Sequence, residues 1–218
     1  MNTKFAGYTL AALLTGSILP AVAISDRAVA LDQGQAPRPN TSAQMQSEMS
    51  RSNEVDKSFI EMMVPHHQSA NQMAEIALKR AKNPEVRRLA QSIIDDQTKE
   101  IKQMQTWYQQ WYGTEVPTAR MNRGSSMSNQ MTQPMMMSMQ QQNQMNQEMI
   151  SMVQNSPNVD QEFLRQMTRH HQTATMMAGM VVNTATHPET RSLAQDIVKG
   201  QTAEIAQMQQ LLLQARRQ

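Results

Sequence analysis

Residues 56–105 read DKSFIEMMVPHHQSANQMAEIALKRAKNPEVRRLAQSIIDDQTKEIKQMQ, and residues 160–209 read DQEFLRQMTRHHQTATMMAGMVVNTATHPETRSLAQDIVKGQTAEIAQMQ. The two stretches align without a gap at a constant offset of 104, and 24 of the 50 positions are identical. Identity at that density over that length marks an internal duplication. Within each copy a proline stands between a polar residue and a glutamate, as Asn83-Pro84-Glu85 and His187-Pro188-Glu189. Proline at the first helical position behind a polar cap starts a helix, so two helices meet there, with His187 in the capping place of Asn83. The first helix carries Phe59, Met63, Ala70, Ala74, Ala77 and Ala81 at three- and four-residue spacing, and the second carries Leu89, Ile93, Gln97, Ile101 and Met104. Each copy is a helical hairpin, and two hairpins predict an all-α four-helix bundle.

The totals agree with helices and exclude several functions. Three Phe, three Tyr, two Trp and seven Gly in 218 residues leave little for a β protein. There is no cysteine, which removes disulfides, thiolate metal sites and a cysteine nucleophile together. Net charge is +2 with no basic cluster interleaved with aromatics, so no nucleic-acid partner is expected. Methionine stands out at 22 residues. It fills cores adaptably, and its thioether is also a soft ligand of the kind that selects Cu(I).

Outside the repeat, Lys4, the apolar run from Ala6 to Leu19 and Ala21-Val22-Ala23 read as an export signal over residues 1–23, with a second small-residue site at Ala28-Val29-Ala30. A periplasmic or secreted protein follows. Residues 24–51 read as a flexible arm, 52–112 as the first hairpin and 156–218 as the second. The connection, 113–155, is rich in Gln, Asn, Ser and Met. Arg120 to Gln133 reads as disordered, and Met135, Met139, Met145, Met149 and Met152 have partial helical spacing. Met135 to Met139 is either a flexible thioether trap or the start of a helix docked on the bundle. Trp107, Tyr108, Trp111 and Tyr112 have no counterparts in the second copy and are expected to cover the end of the bundle or grip the connection.

The chemistry lies in the His pairs. With Met63 at the centre of the inward stripe, His66 and His67 flank it by roughly 60° and 40°. Counting back from the turn near Asn83, Met63 falls level with Met104 and His67 with Glu100; in the second copy Met167 pairs with Met208 and His171 with Glu204. One cluster per hairpin is expected. Met73 and Met177 lie ~10 Å further along their helices and belong to a second site or to the core. Glu100, Glu204, Asp56 and Asp160 are candidate acceptors for the second ring N–H of a ligating histidine. Gln97 and Gln201 are expected to bridge helices by hydrogen bonds. A single methionine or histidine on such a stripe is ordinarily core. The joint recurrence of Met, His-His and an opposed Met in both copies favours metal.

The pattern Asp-x-x-Phe-x-x-x-Met-x-x-His-His-Gln-x-Ala, followed by Pro-Glu and by Gln-Thr-x-Glu-Ile-x-Gln-Met, resembles domain-of-unknown-function family 305, and in particular its copper-binding, copper-resistance members of bacterial envelopes. The resemblance covers about half of the chain. It implies a ferritin-like four-helix bundle, copper binding through Met and His, a part in copper tolerance, and ligands at Met63, His66, His67, Met73 and Met104 and at Met167, His170, His171, Met177 and Met208. The ligand chemistry itself sets the ions expected: thioethers favour Cu(I) or Ag(I), and imidazole also accepts Cu(II). The second copy departs where Val64-Pro65 becomes Thr168-Arg169 and Asp95-Asp96 becomes Lys199-Gly200, so the two sites are not expected to bind equally.

Three functions compete. A non-enzymatic protein that sequesters or transfers copper fits the soft ligand set, with a copper-sensing or copper-export protein of the envelope as its partner. A ferritin-like di-iron or copper oxidase is the enzymatic alternative, and the Glu-x-x-His that di-iron bundles use occurs nowhere in the chain. A Met-rich chaperone or interaction module would use the same thioethers to hold apolar clients.

Overall fold

The computed structural model describes residues 42–117 and 133–215, with side chains described for 54–117 and 137–215. They form five helices: α1 Ser42–Arg80, α2 Pro84–Tyr112, α3 Gln133–Asn155, α4 Val159–Val181 and α5 Pro188–Ala215. No strand occurs among the described residues. The expected hairpins are α1–α2 and α4–α5, and the segment between them contributes a fifth helix. Residues 42–51, expected as the end of a flexible arm, are the opening turns of α1. The export signal and nearly all of Arg120 to Gln133 lie outside the described residues. No described helix is long and apolar enough to cross a membrane.

Local chemistry sets the helix ends. The Asn83 side chain accepts the Glu85 N–H at 2.8 Å, and Pro84 opens α2 where its missing N–H costs nothing. At the other end Gly113, at φ 69°, returns its N–H to the Gln109 carbonyl. A β-carbon there would be strained, so glycine fixes the stop. Asn158 accepts the Gln161 N–H at the start of α4, beside Asp160 and Glu162 in the first turn, where negative charge suits the helix dipole. His187 does not repeat the Asn83 cap. Its backbone carbonyl accepts the Arg191 N–H, while its ring lies flat against Trp111, centroids 3.6 Å apart and planes at 8°. The ring is held there by stacking and by the Asp56 carboxylate, 3.3 Å from its Nδ1. Trp111 in turn stacks on Trp107, and Tyr108 donates to Glu61 at 2.5 Å, so the aromatic run at the end of α2 closes that end of the bundle as expected.

The helices are not arranged as a closed square. α1 and α4 run antiparallel through the middle, α2 packs on α1, α5 packs on α4, and α2 and α5 barely touch. α3 lies across α1 and α4. Its inward face is Met139, Asn146, Met149 and Val153, all buried. The Met135 to Met139 stretch is therefore part of a docked helix. Fully buried alanines, Ala70, Ala74 and Ala77 on α1 and Ala174 and Ala178 on α4, keep the central helices close. Phe59, Phe163, Ile93, Ile197 and Leu164 supply bulk, each contributing roughly 1.5–3 kcal/mol by burial.

Two carboxylates tie the hairpins to each other. Asp56, about four turns into α1 and fully buried, accepts the backbone N–H groups of Thr186 and His187 at 2.7 and 3.2 Å. Asp160, at the base of α4, accepts those of Lys82 and Asn83 at 3.0 and 2.8 Å. Each repeat thus satisfies the loop of the other. This replaces the expectation that Asp56 and Asp160 orient ligating histidines: they sit at the bundle's two ends, far along the helix from the His pairs, where unpaired loop donors are the stronger attraction.

Candidate metal centre

α1 and α4 cross at the His pairs. The rings of His66 and His170 lie 3.6 Å apart, each with its neighbour, His67 or His171, at 6.3 Å. All four imidazoles are fully buried. The expectation of one separate cluster per hairpin is therefore corrected for the histidines: both repeats contribute to a single four-imidazole centre. The spacing within a hairpin was right. His67 Nε2 is 2.7 Å from Glu100, and His171 Nε2 is 2.8 Å from Glu204.

Hydrogen bonding decides which ring nitrogens stay open. A carboxylate only accepts, so Nε2 of His67 and of His171 carries the proton and Nδ1 faces away from it. Ser69 gives its one hydroxyl proton to the His66 carbonyl at 2.7 Å and lies 2.8 Å from His170 Nε2, so that nitrogen is a donor too. Nδ1 of His67, His170 and His171 has no partner, and neither ring nitrogen of His66 has one. The asymmetry has a cause in the sequence. The counterpart of Ser69 is Thr173, whose hydroxyl goes to the Arg169 carbonyl and leaves His66 without an equivalent bond. A buried polar atom without a partner costs ~1–3 kcal/mol, so four such rings are an expensive way to fill a core.

Burial, first, and the neighbouring imidazoles, second, hold His66 and His170 well below the usual histidine range. Both rings are neutral at pH 7, the state in which a nitrogen can ligate. The same depression predicts acid sensitivity in the metal-free chain. Between the lowered folded-state value and the ordinary 6.5, the unfolded chain binds more protons than the folded one. Stability is therefore complete above 6.5 and declines as pH falls below it, with each histidine adding a slope of up to ~1.4 kcal/mol per pH unit. Urea midpoints in chelator should drop from pH 7.5 to pH 5.5, and equal midpoints would contradict this reading of the rings.

The methionines lie in two buried groups on either side of the histidines. Met63 and Met104 share a core cluster with Met177, and Met167 and Met208 share one with Met73. The pairing across each hairpin is as expected. Met73 and Met177, however, sit with the other repeat's pair, because the antiparallel crossing carries each helix past its partner's first turns. One copy has an extra contact: the Thr168 hydroxyl, 2.7 Å from the Leu164 carbonyl, is also 3.7 Å from the Met208 sulfur. Val64 stands at that position in the first copy. Among the described residues no three His, Asp or Glu side chains are arranged to hold a metal ion.

Gln97 and Gln201 were expected to bridge helices, and they do not. Both are buried, and neither amide oxygen nor nitrogen finds a partner. They line a cleft of about 300 Å³ between α2 and α5 together with Glu100 and Glu204. The carboxylates that hold His67 and His171 thus face open space on their other side, at 21% and 19% exposure. The sequence carries no sign of this cleft beyond glutamines standing in an apolar stripe.

Residues 56–212 match the family described as domain of unknown function DUF305. The chain belongs to that family. Among solved structures, CopM in the Cu(I)-bound form is 42% identical with a TM-score of 0.56, over 71% of this chain and 93% of that one. CopM in the Cu(II)-bound form is 40% identical with a TM-score of 0.57, over 73% and 97%. A DUF305 fragment from Deinococcus radiodurans is 26% identical with a TM-score of 0.57, over 73% and 96%. CopM has also been solved in Ag-bound and apo forms. No curated protein matches the chain. The all-α fold expected from the repeat is that of these DUF305 relatives.

Proposed function

We propose that this chain is a non-enzymatic copper-binding protein of the bacterial periplasm, which sequesters or hands on copper and so contributes to copper tolerance. The observation that carries the reading is the set of buried ring nitrogens without partners, flanked on both sides by buried thioethers. Thioether sulfur is neutral and has no proton to lose, so it favours Cu(I) and Ag(I), while imidazole also accepts Cu(II). Similarity to CopM, solved with Cu(I), Cu(II) and Ag, supports the same choice of ions. Glu100 and Glu204 orient His67 and His171 so that Nδ1 is the nitrogen offered. The ligands proposed are His66, His67, His170 and His171 with Met63, Met104, Met167 and Met208, and Met73 and Met177 join from the opposite repeat. The export signal supports the periplasm, where an envelope copper sensor or exporter would receive the metal.

Titration with Cu(I) against a competing chelator tests this. The parent should hold Cu(I) against the chelator, and replacing Met63, Met104, Met167 and Met208 together by Leu should lower the affinity at least ~100-fold, since loss of a mere outer partner already costs 10–100-fold. Unchanged affinity in that variant would remove the thioethers from the site.

A further inference from the structure

The large apolar side chains that the described residues leave in water are nearly all methionines. Among the described residues the large exposed hydrophobics are Met137, Met145, Met152, Met176 and Met180, with Leu213 the single exception. On the same two helices Val153, Val159, Phe163, Leu164 and Val181 are buried. Leucine matches methionine in helix propensity and in apolar character, so neither property accounts for sulfur at each exposed position. Four of these helices' methionines come together. Met145, Met149 and Met152, at i, i+4 and i+7 on α3, line one groove of about 430 Å³ with Met176 of α4. The counterpart of Met176 in the first repeat is Gln72, so sulfur stands only in the copy that faces this groove.

We propose that this groove is a second soft-cation site, a thioether-lined position for Cu(I) or Ag(I) on the outside of the bundle and separate from the buried histidines. Neutral sulfurs suit a soft monovalent ion, whereas hard divalent cations demand oxygen ligands. Glu148 and Arg169 also line the groove, and their opposite charges leave it without a net repulsion for a cation. Gln166, on the groove wall and only 5% exposed, donates from Nε2 to Glu162 at 2.6 Å and keeps its amide oxygen without a partner. That oxygen is a buried acceptor on a residue of the groove wall. The ion class rests on thioether chemistry alone, so the groove and the buried centre stand or fall independently.

Methyl-13C-methionine labelling of the full chain separates them, with resonances assigned through single Met-to-Leu variants and Ag(I) as the probe. The methyls of Met145, Met149, Met152 and Met176 should shift with Ag(I). The variant carrying Met145→Leu, Met149→Leu, Met152→Leu and Met176→Leu should bind at least one fewer Ag(I) than the parent, while Met63 and Met104 still respond. Groove methyls that stay unmoved at saturating Ag(I), or a Leu variant with the parent's stoichiometry, would overturn the proposal and leave an apolar partner as the use of the groove. If Met63 and Met104 fail to respond while the groove methyls shift, the buried-site reading fails and the groove stands.

Discussion

Asp56→Ala should destabilise the protein by roughly 3 kcal/mol, because it removes a fully buried carboxylate and strands the two loop N–H groups that it serves. The carboxylate is fully buried and serves Thr186 and His187, 130 and 131 positions away. The contact of its Oδ1 with His187 Nδ1, at 3.3 Å, goes with it and frees the ring that rests on Trp111. Asp160→Ala removes the equivalent pair of bonds at the other end, but Asp160 is only partly buried and water can reach Lys82 and Asn83. A smaller loss, about 1–2 kcal/mol, is expected there. Urea unfolding of the two variants measures both. A loss under about 0.5 kcal/mol for Asp56→Ala, the range of an ordinary surface change, would mean that the loop finds other partners.

The double substitution His66→Leu and His170→Leu should separate stability from binding. Removing a buried residue with satisfied bonds is costly, whereas these rings keep nitrogens that nothing satisfies. An apolar replacement of similar volume should therefore leave stability within about 1 kcal/mol of the parent, or raise it. It should also flatten the decline below pH 6.5, since the two groups held low by burial are gone. Tight Cu(I) binding should be lost at the same time, by more than ~100-fold. A core histidine kept for packing would give the opposite pair of results: lower stability and unchanged copper affinity. Calorimetric unfolding in chelator and Cu(I) competition on the same samples distinguish the two.

How much of this could be read from the sequence follows from which contacts are local. The hairpins were legible because a turn fixes its own register: Asn83-Pro84 dictates that His67 meets Glu100, and the structure has them at 2.7 Å. The meeting of His66 with His170 was not, because nothing in either repeat states how two hairpins dock. The alanines on α1 and α4 were the nearest signal, since they mark the faces where backbones approach, but they do not set the register of the crossing. The partners of Asp56 and Asp160 stay hidden in the sequence for the same reason. A carboxylate near a His pair in sequence is three turns from it in a helix, and its true partners are in the other repeat. His187 shows a different limit. Its alignment with Asn83 gave the right place on the chain, while its role depends on Trp111, which has no counterpart in the other copy to hint at it.

The reciprocal ties of Asp56 and Asp160 make the bundle equivalent to a homodimer written in one chain. Two protomers of α1–α2 type meet across an axis that passes between His66 and His170, and each lends a carboxylate to the other, as an isologous interface requires. In a true homodimer every substitution appears on both sides of the axis. Tethering removes that constraint. Ser69 opposite Thr173, Val64 opposite Thr168 and Asp96 opposite Gly200 are differences that two identical protomers could not carry. They fall beside the four imidazoles and the cleft that leads towards them. Duplication within one chain thus lets each half of a shared centre be tuned while the scaffold that holds it stays paired.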